Sequence, residues 1–173
     1  MVNAYPELPR LPYRRTSVAM LDLIAHLRRA AFPLEVRRAT YIVFRNESGN
    51  GRSGVNNNYS GMQADGARWP ASLDHYFVGT TTTPENQTGD VRTFLCFARW
   101  EDSADCLAER LAARGIYVGG RTHLVTQVDV ATPTDLATAY HREWVTGSAT
   151  SSPGSGELGA FLSMYAQAET FFA

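Results

Sequence analysis

Lysine is absent from the chain, and all 16 of its basic side chains are arginines. They are nearly balanced by 17 acidic side chains, so the formal net charge is −1. A protein that mainly binds nucleic acid or an anionic membrane needs a surplus of positive charge. The sequence therefore predicts a partner other than nucleic acid or a lipid surface.

Long apolar runs are missing as well. No stretch approaches the ~20 apolar residues that a membrane-spanning helix requires. Residues 1–15 contain three prolines and lack the apolar core of a Sec signal peptide. We therefore expect no membrane span and no Sec-directed export. We expect residues 1–15 to form an extended leader on the surface.

Cysteine and histidine are too few and too scattered to indicate a metal centre. The only cysteines, Cys96 and Cys106, lack the CxxC spacing of zinc and redox sites. The four histidines form neither an HExxH motif nor an i,i+4 pair. The sequence therefore predicts no metal and no cofactor. It leaves open whether the two cysteines form a disulfide or remain buried thiols.

The remaining composition is that of a folded domain. A chain of 173 residues with 44% apolar side chains fits one compact domain with its own core. The apolar spacing indicates a mostly helical α+β arrangement with one β-hairpin. Expected helices cover about 16–31, 34–48, 102–114, 132–144 and 157–172, and expected strands cover 73–79 and 91–100.

Glu47 is the strongest candidate for a catalytic residue. Helical spacing places it on the face of Thr40, Val43 and Phe44, in the last turn, where the helix dipole disfavours a second negative charge. Partial burial would also favour the neutral acid. A carboxyl group that stays protonated near neutral pH is what a general acid for glycosidic cleavage requires. The alternative is a last-turn glutamate that points into solvent.

Three segments in order resemble a known family. The stretches ESGNGRS at 47–53 and NNYSGMQ at 57–63 resemble the E-S-G-W-G-x-S … N-N-x-F-G-I-K signature of glycoside hydrolase family 73. These are bacterial and phage β-N-acetylglucosaminidases of peptidoglycan. The stretch FARWEDS at 97–103 looks like the family's F-R-x-Y-x-S segment. The resemblance covers roughly residues 30–120, and the ending in Gln63 is also similar to lytic transglycosylases and goose-type lysozymes.

The resemblance implies a lysozyme-like fold with Glu47 as the general acid. Residues 16–173 would be a single catalytic domain, with a mainly helical lobe and a small flexible β-hairpin lobe at about 64–99 flanking a glycan groove. A second carboxylate is expected in or near the hairpin, where Glu85 aligns best. Asp65, Asp74 and Asp90 compete with it. Substrate assistance by the 2-acetamido group, or formation of an anhydro-sugar, would remove the need for a second carboxylate.

The resemblance also suggests residues that contact the glycan. Tyr117 carries over as a groove tyrosine that hydrogen-bonds the acetamido group, with a packing role as the alternative. Aromatic faces suit the apolar faces of sugar rings, although large aromatic side chains also dominate protein cores. The expected substrate-binding residues are Asn58, Tyr59, Gln63, Trp69 and Tyr76.

The expected function is hydrolysis of β-1,4 bonds in the glycan strand of peptidoglycan. Because this substrate lies outside the inner membrane and no Sec signal is visible, a dedicated machine or cell lysis would deliver the enzyme. The short chain resembles type VI secretion glycoside hydrolase effectors, which are made in the cytoplasm and act in a rival's periplasm. That likeness implies an immunity protein that occludes the groove. The alternatives are a phage endolysin, a lytic transglycosylase, and a catalytically silent glycan-binding or structural module.

Overall fold

The computed structural model describes residues 2–84 and 89–173. Within them the chain forms α-helices and two small antiparallel sheets, which confirms the predicted α+β class. The helices are α1 (Met20–Arg29), α2 (Leu34–Glu47), α3 (Trp100–Arg114), α4 (Pro133–Tyr140) and α5 (Ser155–Phe171). The strands are β1 (Arg15–Thr16), β2 (Gly54–Val55), β3 (Phe77–Pro84) and β4 (Val91–Phe97).

Two compact units make up the chain that was expected to fold as one domain. The first, which we call the hairpin unit, contains Met1–Leu23 and Phe44–Cys106. The second, the helical unit, contains Ile24–Val43 and Leu107–Ala173. The boundaries between the units fall within α1, α2 and α3, so the chain passes from one unit to the other along helices.

The N-terminal segment is mostly exposed, as expected of a surface leader, but Tyr5 anchors it in the core of the hairpin unit. Tyr5 is only 1% exposed, and its ring meets Phe77 edge-on at 5.6 Å. The Tyr5 hydroxyl accepts a hydrogen bond from the Trp69 backbone N–H at 2.8 Å. The Ala4 N–H donates to the Ala64 carbonyl at 2.7 Å. One buried aromatic side chain therefore attaches a segment whose three prolines predict only surface turns.

Both outer edges of the β3–β4 hairpin are paired with other segments of the hairpin unit. On the β3 side, Thr80 accepts a backbone hydrogen bond from Leu11 at 2.7 Å. On the β4 side, Leu95 donates to the Met62 carbonyl at 3.0 Å. Unpaired strand edges are open to association with other chains, and these contacts pair part of each edge. The β3–β4 hairpin, which is the expected β-lobe, is therefore hydrogen-bonded to other segments of the hairpin unit on both sides.

Three predicted element boundaries are wrong for local reasons. Helix α1 begins at Met20 rather than near Thr16, because Thr16 pairs with Gly54 between β1 and β2. Residues Ala71–Tyr76 form a 3₁₀ helix rather than the start of a strand, and extended backbone begins only at Phe77. Helix α3 begins at Trp100, before the predicted start at 102. Asp102 lies inside its first turn, accepts the Arg99 N–H at 3.2 Å and pairs with the Arg99 guanidinium at 2.8 Å.

The start of α4 agrees with the prediction. Thr132 is the N-cap, its hydroxyl accepts the Asp135 N–H at 3.2 Å, and Pro133 is the first helical residue. Pro is favoured there because its missing N–H would have no partner in the helix. The helix continues into a single π-helical segment, His141–Thr146.

Aromatic packing and a hydrogen-bonded tyrosine hold α2 and α5 together in the helical unit. The Tyr41 ring lies 5.6 Å from Phe171 and 5.9 Å from Phe172, edge-on to both. The Tyr165 hydroxyl donates to the Glu35 carboxylate at 2.7 Å. Burial, together with this carboxylate, raises the pKa of Tyr165 to about 12. The C-terminal helix is thus an integral part of this unit.

The cysteine alternative is resolved in favour of free thiols, and we predict that both resist modification in the folded protein. Cys96 and Cys106 are buried and unpaired as a disulfide. Burial raises the pKa of the Cys96 thiol to about 11, so little of the reactive thiolate forms at neutral pH. Ellman's reagent should titrate two thiols in urea and none within minutes in native buffer. Rapid native reaction of either thiol would contradict the burial.

Candidate functional site

Glu47 is the last residue of α2, and its side chain is exposed. The expected partial burial is therefore wrong. Helix α2 is buried all round at 41–44, so closeness to Val43 and Phe44 does not decide whether position 47 is buried. The next residue, Ser48, takes the buried place and is 0% exposed.

A tight turn directly after Glu47 is fixed by Ser48. The Ser48 hydroxyl donates to the Phe44 carbonyl at 2.5 Å and accepts the Gly51 N–H at 2.8 Å. The Ser48 carbonyl accepts the backbone N–H of Arg52 at 3.0 Å. Residues 49–51 all have positive φ, at 55°, 62° and 77°. The chain therefore turns sharply away from the axis of α2 directly after Glu47.

Glycine is required at position 51 of this turn, and we predict a large loss of stability for Gly51→Ala. A Cβ at this position would lie 2.2 Å from the Val18 carbonyl oxygen, and φ is +77°. The clash with backbone and the left-handed conformation together should cost at least about 2 kcal/mol. Gly61→Ala is the matched control, because φ there is +66° with no atom within 4 Å.

Urea unfolding of both variants measures this difference. We expect Gly61→Ala to lose only about 1 kcal/mol, the cost of the left-handed backbone alone. Equal losses at positions 51 and 61 would show that the contact with Val18 does not constrain the turn.

Two of three consecutive asparagines tie the loop after the turn to distant segments of the hairpin unit. The Asn56 amide donates to the Pro12 carbonyl at 2.9 Å and accepts the Arg14 N–H at 2.8 Å. The Asn57 amide donates to the Phe97 carbonyl at 3.1 Å, at the end of β4. Asn56 and Asn57 both have positive φ, which asparagine tolerates better than most residues. The loop is thus held by side chains on two sides.

Asn58 and Tyr59 are buried, and the direct sugar contacts expected of them are wrong for this structure. Asn58 is 4% exposed, and both of its amide hydrogens are used, on the Met62 carbonyl at 2.8 Å and the Leu95 carbonyl at 2.9 Å. Tyr59 is 1% exposed, and its ring stacks on Phe44 at 4.9 Å. Burial raises the pKa of Tyr59. Both side chains are therefore packed inside the hairpin unit and stabilise the conformation of the loop.

Gln63, Trp69 and Tyr76 are half-buried and keep part of their surface in solvent. The Trp69 indole N–H donates to the Gln63 carbonyl at 2.8 Å, which brings these two residues together. Trp69 and Tyr76 both pack against the core cluster of the hairpin unit. The Tyr76 ring also lies 4.0 Å from that of His75. Their predicted contact with glycan stays a prediction.

The candidates for the second carboxylate differ in their surroundings. Glu85 lies outside the described residues. Asp65 is half-buried and accepts a backbone N–H of β4 at 2.7 Å, which favours a structural role. Asp74 pairs with Arg68 at 3.3 Å, and Asp90 is exposed.

Tyr117 belongs to the helical unit, whereas Glu47 belongs to the hairpin unit. The Tyr117 side chain is half-buried, and its carbonyl accepts the Gly120 N–H at 2.9 Å. Its predicted role toward an acetamido group stays a prediction.

In the part of the chain that the structure describes, no three acidic, cysteine or histidine side chains are arranged to hold a metal ion. None of the helices described has the length and apolar character needed to cross a membrane.

Glu143 is a buried acidic residue that lies outside the sequence motifs described above. It is 3% exposed and lies in the π-helical segment after α4. Its carboxylate accepts the Val125 N–H at 3.0 Å, the Thr126 N–H at 2.7 Å and the Thr126 hydroxyl at 2.8 Å. The sequence held a signal for its burial, because the buried residues Leu136 and Tyr140 precede it at helical spacing.

The charge of Glu143 is stabilised where it lies. Burial alone raises the pKa of Glu143, but the hydrogen bonds from Thr126 and Val125 and the charge of Arg114 outweigh burial. Its pKa is therefore below the ordinary value. Arg114 lies over the Trp144 ring at 5.6 Å, and burial lowers the pKa of its guanidinium. Since every contact is internal to the helical unit, Glu143 has the features of a structural carboxylate.

Comparisons of the chain with protein-family models, curated proteins and solved structures found no match.

Proposed function

We propose that the chain is a peptidoglycan glycosidase that cleaves β-1,4 bonds of the glycan strand. It acts as an N-acetylglucosaminidase related to glycoside hydrolase family 73, with a lysozyme-like arrangement and Glu47 as the general acid. The observation that carries this proposal is the placement of Glu47. It ends α2 directly before a turn held by Ser48 and Gly51, and the asparagine loop follows that turn.

The proposed chemistry assigns Glu47 the proton donated to the departing glycosidic oxygen. The Glu47 side chain is exposed in the protein without substrate. A bound glycan would exclude water from the carboxyl group and thereby favour the protonated form. Attack on the anomeric carbon then comes from a water activated by a second carboxylate, Glu85 being the proposed one, or from the acetamido group of the substrate.

The order of elements around Glu47 supports this proposal. A helix that ends on an acid is followed by a glycine-rich turn, an asparagine loop, an antiparallel hairpin and another helix. The Asn57 amide donates to the Phe97 carbonyl, so two of the three segments that carry the resemblance, 57–63 and 97–103, are hydrogen-bonded to each other. We propose Gln63, Trp69 and Tyr76 as glycan contacts of this unit.

Digestion of purified sacculi tests the proposed reaction. The chain should release soluble muropeptides whose new reducing end is N-acetylglucosamine, as mass spectrometry of reduced products will show. Products one water lighter would instead identify a lytic transglycosylase, and N-acetylmuramic acid at the reducing end would identify a muramidase. Release of no products by the folded chain would overturn the enzyme proposal.

A catalytically silent glycan-binding or structural module is the second candidate, and the exposure of Glu47 favours it. The Glu47 side chain is exposed, whereas a preorganised acid is expected to be partly buried. Binding to sacculi without turnover would support this module.

We further propose that the enzyme is a type VI secretion effector, made in the cytoplasm and acting in the periplasm of a target cell. A cognate immunity protein would occlude its groove. Expression with an added periplasmic signal should lyse a Gram-negative host, whereas cytoplasmic expression should be harmless, because peptidoglycan lies only on the outer side of the inner membrane. Growth unaffected by both forms would contradict the effector proposal. A holin gene beside its own gene would instead favour a phage endolysin.

A further inference from the structure

Asn50 and Gly51 form the only Asn–Gly pair in the 173-residue chain. An asparagine followed by glycine is prone to spontaneous modification, because glycine has no side chain to shield its backbone nitrogen. That nitrogen can attack the side-chain amide of the asparagine. The pair lies in the turn directly after Glu47, and Asn50 is exposed to solvent. The turn at the candidate site therefore contains a reactive dipeptide.

The modification is a cyclisation followed by a hydrolysis. The backbone nitrogen of Gly51 loses its proton to a base in solution and forms a bond to Cγ, the side-chain carbonyl carbon of Asn50. The bond between Cγ and the side-chain nitrogen breaks, and ammonia leaves. Water then opens the resulting succinimide at one of its two carbonyl groups. The product is aspartate or isoaspartate, in which the backbone runs through the former side chain.

A buried hydrogen bond protects the attacking nitrogen in the folded chain. The Gly51 N–H donates to the Ser48 hydroxyl at 2.8 Å. Gly51 is buried and Ser48 is 0% exposed, so a base in solution does not reach this N–H. Because cyclisation requires loss of this proton, the hydrogen bond and its burial both oppose the reaction.

The side chain of Asn50 is held as well. Its oxygen accepts the Arg45 Nε–H at 2.7 Å, and the Asn50 backbone N–H donates to the Arg45 carbonyl at 2.9 Å. Attack requires the nitrogen and Cγ to approach within roughly 3.5 Å in one alignment. The hydrogen bond to Arg45 restricts the rotation by which Cγ would reach that alignment.

Val18 restricts the backbone on the other side of the pair. The Val18 N–H donates to the Gly51 carbonyl at 2.9 Å. A Cβ at position 51 would lie 2.2 Å from the Val18 carbonyl oxygen, so the backbone of Gly51 has little free space around it. Rotation of the backbone at position 51 therefore breaks its contact with Val18.

We infer that Asn50 is a modification site that the folded turn keeps closed, with Ser48 as the residue that protects the Gly51 nitrogen. Asn50 is converted only in molecules whose turn has opened. Isoaspartate inserts a further carbon into the backbone directly before Gly51, where there is no space for an added methyl group. The modified chain therefore does not regain the native turn. This inference does not depend on the proposed hydrolysis.

Incubation of the intact wild-type chain at mildly alkaline pH, in native buffer and in unfolding urea, tests the inference. Trypsin cleaves after Arg45 and Arg52, so it releases residues 46–52 as one peptide. Tandem mass spectrometry of this peptide distinguishes modification at Asn50 from modification at Asn46. The rate in the folded protein is the rate in the open chain multiplied by the open fraction, so it should be at least about tenfold slower in native buffer.

Ser48→Ala removes the acceptor of the Gly51 N–H. It should raise the rate in native buffer by about two- to tenfold, the range that one hydrogen bond contributes. Ser60→Ala is the matched control, because Ser60 is also buried in the hairpin unit and its hydroxyl has no partner among the described residues. It should keep the wild-type rate. Asn50→Gln should abolish modification at this position, since the longer side chain cyclises far more slowly.

Equal rates for the wild-type chain in native buffer and in urea would overturn the inference. A rate raised as much by Ser60→Ala as by Ser48→Ala would remove the role assigned to the Ser48 hydroxyl. Should Ser48→Ala fail to fold, the wild-type comparison still decides whether the turn protects Asn50. These measurements use no substrate, so a failure to digest sacculi contradicts the proposed function and leaves this site standing.

Discussion

Glu47→Gln should lower the release of muropeptides from sacculi by at least about 10²-fold, the usual contribution of a general acid. Glutamine keeps the size of the side chain and has no proton to donate to the leaving oxygen. Because Glu47 is exposed, the substitution should leave the fold unchanged. The loss is expected mainly in kcat, since a proton donated in the transition state contributes little to binding in the ground state.

Glu169→Gln provides the matched control for this experiment. Glu169 is also an exposed helical glutamate, but it lies in α5 of the helical unit. We expect it to have full activity and an unchanged thermal midpoint. Comparable release by Glu47→Gln and wild type would remove Glu47 from the mechanism, even if the chain proved to be a glycosidase.

Glu143→Gln should destabilise the protein by about 3 kcal/mol, the largest stability effect that we predict. Removing one member of a buried, hydrogen-bonded charge cluster leaves its partners without compensation. The glutamine oxygen can still accept from Thr126, but the amide NH2 then faces the Val125 N–H, and Arg114 loses its negative neighbour. Urea denaturation of the variant and of Glu169→Gln, which should lie within 0.5 kcal/mol of wild type, measures the effect.

The pH dependence of stability gives a second test of the same residue. The pKa of Glu143 in the folded protein is below its ordinary value of 4.5, so the unfolded chain binds its proton first as the pH falls. The stabilisation is therefore complete above the ordinary value and is lost as the pH falls through the lower, folded value. The difference between wild type and Glu143→Gln should accordingly shrink below about pH 4. A difference that stays constant down to pH 3 would contradict the assignment.

Elements governed by local chemistry were predictable from the sequence. Thr132 and Pro133 specify the start of α4 through a side-chain cap and a missing N–H, both of which act within one helical turn. Helix α2 was recognised from a continuous apolar segment, and its end lies within one residue of the expected position.

The side-chain environment of the candidate site was not predictable in the same way. Helical spacing placed Glu47 among buried neighbours, but the turn after it exposes the carboxyl group and buries Ser48. Asn58 and Tyr59 were expected to contact the glycan, yet Tyr59 stacks on Phe44 within the core. A motif identifies which residues occur together and leaves open which of them face solvent.

The amino-acid sequence by itself determined the α+β class, the helical segments and the glycine- and asparagine-rich loop after Glu47. These features depend on contacts between near neighbours in the chain. Tertiary structure alone decided that Tyr5 enters a core, that Asn57 holds a carbonyl 40 residues away, and that Glu143 serves as a buried anion. The free energy of such groups depends on partners that are distant in sequence, and only the folded chain brings those partners within hydrogen-bonding distance.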